Sequence, residues 1–281
     1  MKNTKETARP EGFSLIELMT VMAVLAILAM IIVSVVGNVR QQAMTSRSMS
    51  NIRELVTANY ACASDTGRFA KAENKADTKR WHGKKVGGNW VGYGGFLTEY
   101  LGQDRSIRKC PVLEQMLTTD EGDQFDEGTG GYGYNAVYLG NDPGAESATS
   151  SGGNGWWDIP TVSETAANRP GVLIDPANTV MFTSTALVRG GGLVETYLSA
   201  PYYSLVNSNL DEALTPTTHF RFGGKALVAW CDGHVTLEEP NDAYTGWNAY
   251  GDDNNKYRVG WFGPTDNNGY WNPNYTLGRA Y

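Results

Sequence analysis

The chain has 281 residues, a formal net charge of −7 and a pI near 5.1, which opposes the clustered positive charge that phosphate contacts require and argues against nucleic-acid binding. Gly (33), Tyr (15) and Trp (8) are plentiful while charged residues make up only 19%, a balance that fits a turn-rich, aromatic-packed β domain. Three cysteines, Cys62, Cys110 and Cys231, exclude a disulfide scaffold and allow at most one internal bridge, whose pairing the sequence leaves open.

From Leu15 to Val36 the sequence reads LIELMTVMAVLAILAMIIVSVV, with Glu17, Thr20 and Ser34 its only polar residues. About twenty apolar helical residues span the roughly 30 Å of a bilayer core, so a transmembrane helix is expected. A cleaved secretory signal would have a shorter apolar run followed by a small-residue cleavage site, and neither is present. Glu17 stands out: a carboxylate inside an apolar segment costs a few kcal/mol unless it is paired, so it needs a cation. Thr20, Val21 and Val24, the residues on its own helix face, supply none, which directs the search to another molecule or a new amino terminus.

The segment Gly12-Phe13-Ser14-Leu15-Ile16-Glu17, followed directly by the apolar helix, resembles the N-terminal cleavage and methylation motif of type IV prepilins and type II secretion pseudopilins. The resemblance implies that a membrane prepilin peptidase cuts between Gly12 and Phe13 and methylates Phe13. It also implies that Glu17 acts in assembly by meeting the N-terminal amine of a neighbouring pilin-like subunit. The implied partners are that peptidase, other pilin-like subunits, their assembly machinery and the membrane. The implied topology is a single pass through the bacterial inner membrane, with the C-terminal region in the periplasm or on a surface filament. Charge alone votes weakly on orientation, because Lys2, Lys5 and Arg9 precede the helix and Arg40, Arg47 and Arg53 follow it. Loss of residues 1–12, with three bases and two acids, would leave a mature chain near −8.

Beyond Val36 the pattern turns amphipathic, with Met49, Ile52, Leu55, Val56 and Tyr60 at helical spacing and a stop at Asp65-Thr66-Gly67. The expected organisation is a leader over 1–12, a transmembrane and assembly helix over 13–66, and a β-rich head over 67–281. The fold class expected is α+β, a long helix packed on an antiparallel sheet. Strands are expected at 133–139, 179–188, 217–222, 225–231, 235–239 and 257–262, a short helix at 96–101, and an exposed loop at 144–155. Asp232-Gly233 between two β-prone runs reads as a hairpin turn, because both residues can take positive φ, and Gly223-Gly224 as a second turn, giving a three-stranded meander.

That stretch is similar to the C-terminal signature of the prepilin-type processing-associated group: His, nine residues, then Asp-Gly. Phe222 occupies the His position here, with Asp232 and Gly233 as expected and His219 three residues before Phe222.

His219, Asp232 and His234 could form a metal or acid/base cluster, yet a turn explains Asp232 and the histidines lack a ligand register, so a structural role is expected. Asp252, Asp253 and Asp266 lie in oxygen-rich loops suited to calcium, as major pseudopilins carry near their C-termini, and the same residues also make turns. Trp247, Tyr250, Trp261, Phe262, Tyr270, Trp271 and Tyr275 read as core rings, with a sugar-stacking surface as the alternative. No nucleophile elbow or metal motif is present, so the expected function is a structural subunit rather than an enzyme. The alternative is a pilin-anchored surface adhesin or polysaccharide-binding protein.

Overall fold

A computed structural model describes residues 14–74, 77–117, 126–140, 168–206, 209–213, 215–243, 246–248 and 250–275. Gly12, Phe13 and the expected loop at 144–155 lie outside these residues. The chain divides into two compact units, Met1–Ala43 and Met44–Tyr281.

One helix, α1 (Leu15–Thr66), carries residues of both units. Its first part is built of Leu, Met, Ala and Ile, which lose little side-chain freedom or pack well in a helix, and it contains no proline. Leu15 to Ile32 are exposed throughout, an apolar surface of membrane-crossing length. Residues 44–66 read differently: Ile52, Leu55, Val56, Ala58, Cys62 and Ala63 are buried in the C-terminal unit, and Arg53, Thr57 and Ser64 face out. The helix stops where Gly67, at φ +77°, donates its N–H to the Ala63 carbonyl at 2.8 Å, a left-handed cap that glycine adopts without a Cβ penalty.

The C-terminal unit contains short strands: β1 (Glu73–Asn74), β2 (Lys79–Arg80), β3 (Lys84–Val86), β4 (Asn89–Val91), β5 (Tyr132–Tyr134), β6 (Val180–Ser184), β7 (Leu187–Arg189), β8 (Gly192–Val194), β9 (Tyr203–Val206), β10 (Asn209–Ala213), β11 (Thr218–His219), β12 (Ala226–Trp230), β13 (Val235–Glu238) and β14 (Val259–Gly260). The principal sheet runs β13-β12-β6-β5, antiparallel throughout. Its β5 edge is covered by residues 197–199, which bond both the N–H and the carbonyl of Tyr134. Its β13 edge ends in Glu238-Glu239-Pro240. A smaller sheet runs β1-β2-β3-β4, and β7–β8, β9–β10 and β11–β14 form two-stranded ladders.

The structure agrees with the α+β expectation and corrects its details. The three-stranded meander is not formed: β12 pairs with β13 on one side, but β6 takes its other side and β11 pairs with β14. Gly223 and Gly224, at φ +65° and +86°, close Phe222 directly on Lys225. Before that turn, the Arg221 guanidinium donates to the carbonyls of Gly131 (2.6 Å) and Thr185 (3.2 Å), drawing the preceding residues across the end of β6.

The expected strand at 133–139 stops at Tyr134, because the buried Asn135 side chain donates to the carbonyls of Val180 and Trp271 and its own carbonyl accepts from Leu139, turning the chain. The run 179–188 breaks at Thr185 and Ala186, whose N–H groups change partners to Gly131 and Thr217. Of 257–262 only Val259–Gly260 is strand, and the expected helix at 96–101 is one 3-10 turn, Thr98–Tyr100, between glycines 94–95 and 102.

Two apolar clusters fill the unit. One packs α1 residues Ile52, Leu55 and Val56 against Trp81, Tyr134, Phe182 and Leu227; full burial of such side chains stabilises by about 1.5–3 kcal/mol each. The other is aromatic, with Trp230, Trp261, Phe262 and Trp271 around Tyr138 and Tyr202. Of the seven C-terminal rings, Trp261, Phe262 and Trp271 are buried, Tyr250, Tyr270 and Tyr275 half-buried, and Trp247 is 72% exposed. The three cysteine thiols are free and buried.

Candidate functional site

The first turn of α1 is built by Ser14-x-x-Glu17, the spacing of a capping box. The Ser14 N–H donates to Glu17 Oε2 at 2.8 Å, and the Thr20 hydroxyl donates to the Glu17 carbonyl at 2.9 Å. Glu17 therefore turns back toward the helix N-terminus, where the partial positive charge of the helix dipole also favours a carboxylate. The search for a cation one or two turns further along the helix misses this partner. The Ser-x-x-Glu pattern was the signal that could have found it.

At the other end, α1 is tied to the sheet by polar groups. Asn59, fully buried, donates Nδ2 to the Tyr134 hydroxyl at 3.2 Å and accepts the Ala70 N–H at 2.8 Å. The Tyr60 hydroxyl donates to the carbonyl of Cys231, at the β12–β13 turn. Ser48 Oγ lies 3.3 Å from Cys110 Sγ, and the Tyr132 hydroxyl donates to the Ser48 carbonyl at 3.3 Å. Burial pushes the Cys110 thiol up, but Arg221, Ser48 and the Leu113 N–H outweigh that effect and its pKa falls below the ordinary value.

The signature residues do not converge. Phe222 is buried beside the Gly223-Gly224 turn, while Asp232 and Gly233 lie at the opposite end of β12, about 20 Å away along an extended strand. The Asp232-Gly233 turn also differs from expectation. Gly233 alone has positive φ, +95°, and its N–H returns to the Trp230 carbonyl, a three-residue loop closed by a left-handed glycine. Asp232 Oδ1 accepts the His234 N–H at 3.0 Å and lies 2.5 Å from His234 Nδ1, and the His234 ring stacks on Trp230.

His219 sits elsewhere, fully buried, with Nδ1 3.3 Å from an Arg221 nitrogen. Burial, aided by Arg221 and Arg258, pushes its pKa down to about 3, so it is neutral at ordinary pH. Asp232 and His234 thus act together in one turn, and His219 lies apart from them in a buried site beside Arg221.

The calcium candidates are also distributed. Asp252 Oδ1 accepts the Gly191 N–H at 3.0 Å, Asp253 Oδ1 accepts the Asn255 N–H at 3.0 Å, and Asp266 Oδ1 accepts the Tyr275 hydroxyl at 3.3 Å. Each acts as a loop staple, and among the described residues no group of three His, Cys, Asp or Glu side chains is placed to hold a metal ion.

An exposed apolar helix segment of membrane-crossing length, opened by a carboxylate turned to its own N-terminus, together with a unit of antiparallel β-sheets, is consistent with an α+β, type IV pilin-like architecture. Residues 8–33 match the family model of the prokaryotic N-terminal methylation motif, and the chain has the N-terminus of a type IV pilin-like prepilin or pseudopilin. That motif implies processing by a prepilin peptidase and assembly with pilus-type machinery. No curated protein and no solved structure matches the chain.

Proposed function

We propose that the chain is a structural subunit of a type IV pilus or a type II secretion pseudopilus. In this reading the peptidase cuts between Gly12 and Phe13, Phe13 becomes the methylated amino terminus, and Glu17 meets the amine of a neighbouring copy during assembly. The leader over 1–12 stays in the cytoplasm, the helix over 13–66 spans the inner membrane, and the head over 67–281 lies in the periplasm or on a surface filament. The observation that carries the reading is the methylation motif over residues 8–33 together with the Glu17 carboxylate turned toward the helix N-terminus. After cleavage the amine would stand one residue before Ser14, next to the group that Glu17 already contacts. The test is the mass of the N-terminal peptide from protein isolated from its native membrane. A peptide that begins at Phe13 with one added methyl group supports the reading; one that retains residues 1–12 in a host with active peptidase overturns it.

A second reading is a pilin-anchored polysaccharide-binding protein. It is favoured by Trp247, 72% exposed on a loop that Asn248 pins by donating to the Val188 carbonyl at 2.8 Å. An exposed indole on a braced loop can stack on a sugar ring. Loss of retention on a polysaccharide matrix in Trp247→Ala supports this reading, and no retention of the wild-type chain on any such matrix counts against it.

A further inference from the structure

The small sheet β1–β4 carries an electrostatic conflict that its fold does not need. Lys79 on β2 and Lys84 on β3 are direct cross-strand partners, and Lys85 follows on a strand whose every residue is exposed. Like charges opposite each other destabilise a ladder. Among the described residues none of the three lysines forms an ion pair, whereas the adjacent Arg80 is bonded to both Glu73 and Asp126 and lies between the rings of Trp90 and Tyr197.

The lysines are nevertheless held. Their ammonium groups lie 4.7 Å (Lys79), 5.7 Å (Lys84) and 5.3 Å (Lys85) from the ring centres of Phe96, Tyr93 and Trp90. The stem of Lys84 crosses Gly94, where an added Cβ would stand 2.9 Å from the Lys84 Cδ. Positioned, uncompensated charge against the local rules of sheet design marks a binding surface for an anionic partner.

The chain itself offers that partner. Residues 68–110 hold ten Lys or Arg against four Asp or Glu, while residues 111–281 hold seven against 21. The acidic part has its own cluster at the β13 edge, where the half-buried Glu238 and the exposed Glu239 and Asp242 lie within five residues and, among the described residues, Glu239 alone is in an ion pair, with Lys225 at 3.0 Å. We propose that the β2–β3 ladder of one copy, with Lys79 and Lys84 on one face and Lys85 on the other, docks through these lysines on the Glu238–Asp242 segment of a second copy. The contact joins two different surfaces, so repeated head to tail it builds a ring or an open filament rather than a closed dimer. The inference rests on the subunit reading above and adds the faces through which the heads meet. Because each copy is net negative, the lysine stripe also orients the approach of the next subunit.

The test uses the full-length chain in membranes of a host with active peptidase, treated with a carbodiimide that joins carboxylates to amines in direct contact. Cross-linked peptides are identified by mass spectrometry from unlabelled and 15N-labelled copies. Mixed-isotope links between Lys79, Lys84 or Lys85 and Glu238, Glu239 or Asp242 are expected. The variants K84E/K85E and E238K/D242K should each lower the yield of linked copies by about tenfold, and the chain carrying all four changes should recover it. Protection of Cys62, Cys110 and Cys231 from alkylation reports that each variant is folded. Mixed links that avoid these residues, unchanged yields, or no recovery in the fourfold variant overturn the proposal. So does loss of retention on a sulfated polysaccharide in K84E/K85E with cross-linking unchanged, which would assign the stripe to a polyanion. An N-terminal peptide that still begins at Met1 would instead mark failure of the subunit reading itself.

Discussion

Asn59 in α1 and Tyr134 in β5 are joined by a hydrogen bond of 3.2 Å in which both partners are fully buried. The same amide accepts the Ala70 N–H, so one side chain fixes the helix to the sheet and to the segment that follows the helix. Asn59→Leu strands a phenol and a backbone N–H away from water, at about 1–3 kcal/mol for each unsatisfied group. Denaturant unfolding followed by tryptophan fluorescence should show a loss of at least about 2 kcal/mol. Thr57→Ala, which removes an exposed bond from its hydroxyl to the Arg53 carbonyl, should stay within about 0.5 kcal/mol of wild type. Equal effects from the two changes would contradict this account.

The three thiols provide a second check. Cys62, Cys110 and Cys231 are free and buried, so iodoacetamide should leave the folded chain unlabelled and add three groups after denaturation without reductant. Intact mass reads the outcome. Recovery of a single labelled cysteine would mean that two are bridged.

Acid should weaken the fold through its buried histidines. His82 is pushed down to about 3 by its burial and by Arg80, and His219 to about 3 by burial, Arg221 and Arg258. An unfolded chain takes up a proton on each near pH 6.5, whereas the folded chain does so only near the depressed values. Their contribution to stability is therefore present above pH 6.5 and lost as pH falls toward 3, at up to about 1.4 kcal/mol per pH unit for each ring. His82→Gln should flatten the decline between pH 6 and pH 4 relative to wild type. Parallel curves for the two chains would remove His82 from the explanation.

Phe222, at the position where the signature that the sequence resembles would have histidine, is 5% exposed against the Arg221 cation. Phe222→His would bury a polar ring beside a guanidinium in an apolar cluster, so a loss of about 2–4 kcal/mol is expected. An unchanged unfolding midpoint would mean that the pocket accepts either ring and that the departure carries no structural meaning.

Some of this architecture was legible because it is written in contiguous residues. The apolar run and the Gly12–Glu17 motif are local, and so are the Gly-Gly and Asp-Gly pairs that close turns at 223–224 and at 232–233. The remainder depends on contacts between distant parts of the chain. The pairing of β11 with β14 follows from the buried Arg221 bonding carbonyls at Gly131 and Thr185, which no window around Thr218 contains. Strands β1 to β4 are two or three residues long and rich in Glu, Lys and Asn, a composition that gives no alternating signal. At Glu17 the partner is not a charge but a backbone N–H three residues earlier, which hydropathy and charge patterns do not mark.

The principal sheet has one edge covered by residues 197–199 and the other ending in two glutamates and a proline. Such an edge resists extension by a foreign strand. The four residues of β13, paired on one side with β12, are thus the backbone of that sheet left for cross-β stacking among the described residues, and the glutamates at their end disfavour a second strand there. If heads of this chain associate as proposed, through charged side chains rather than by strand addition, concentrated salt is the reagent that should take them apart.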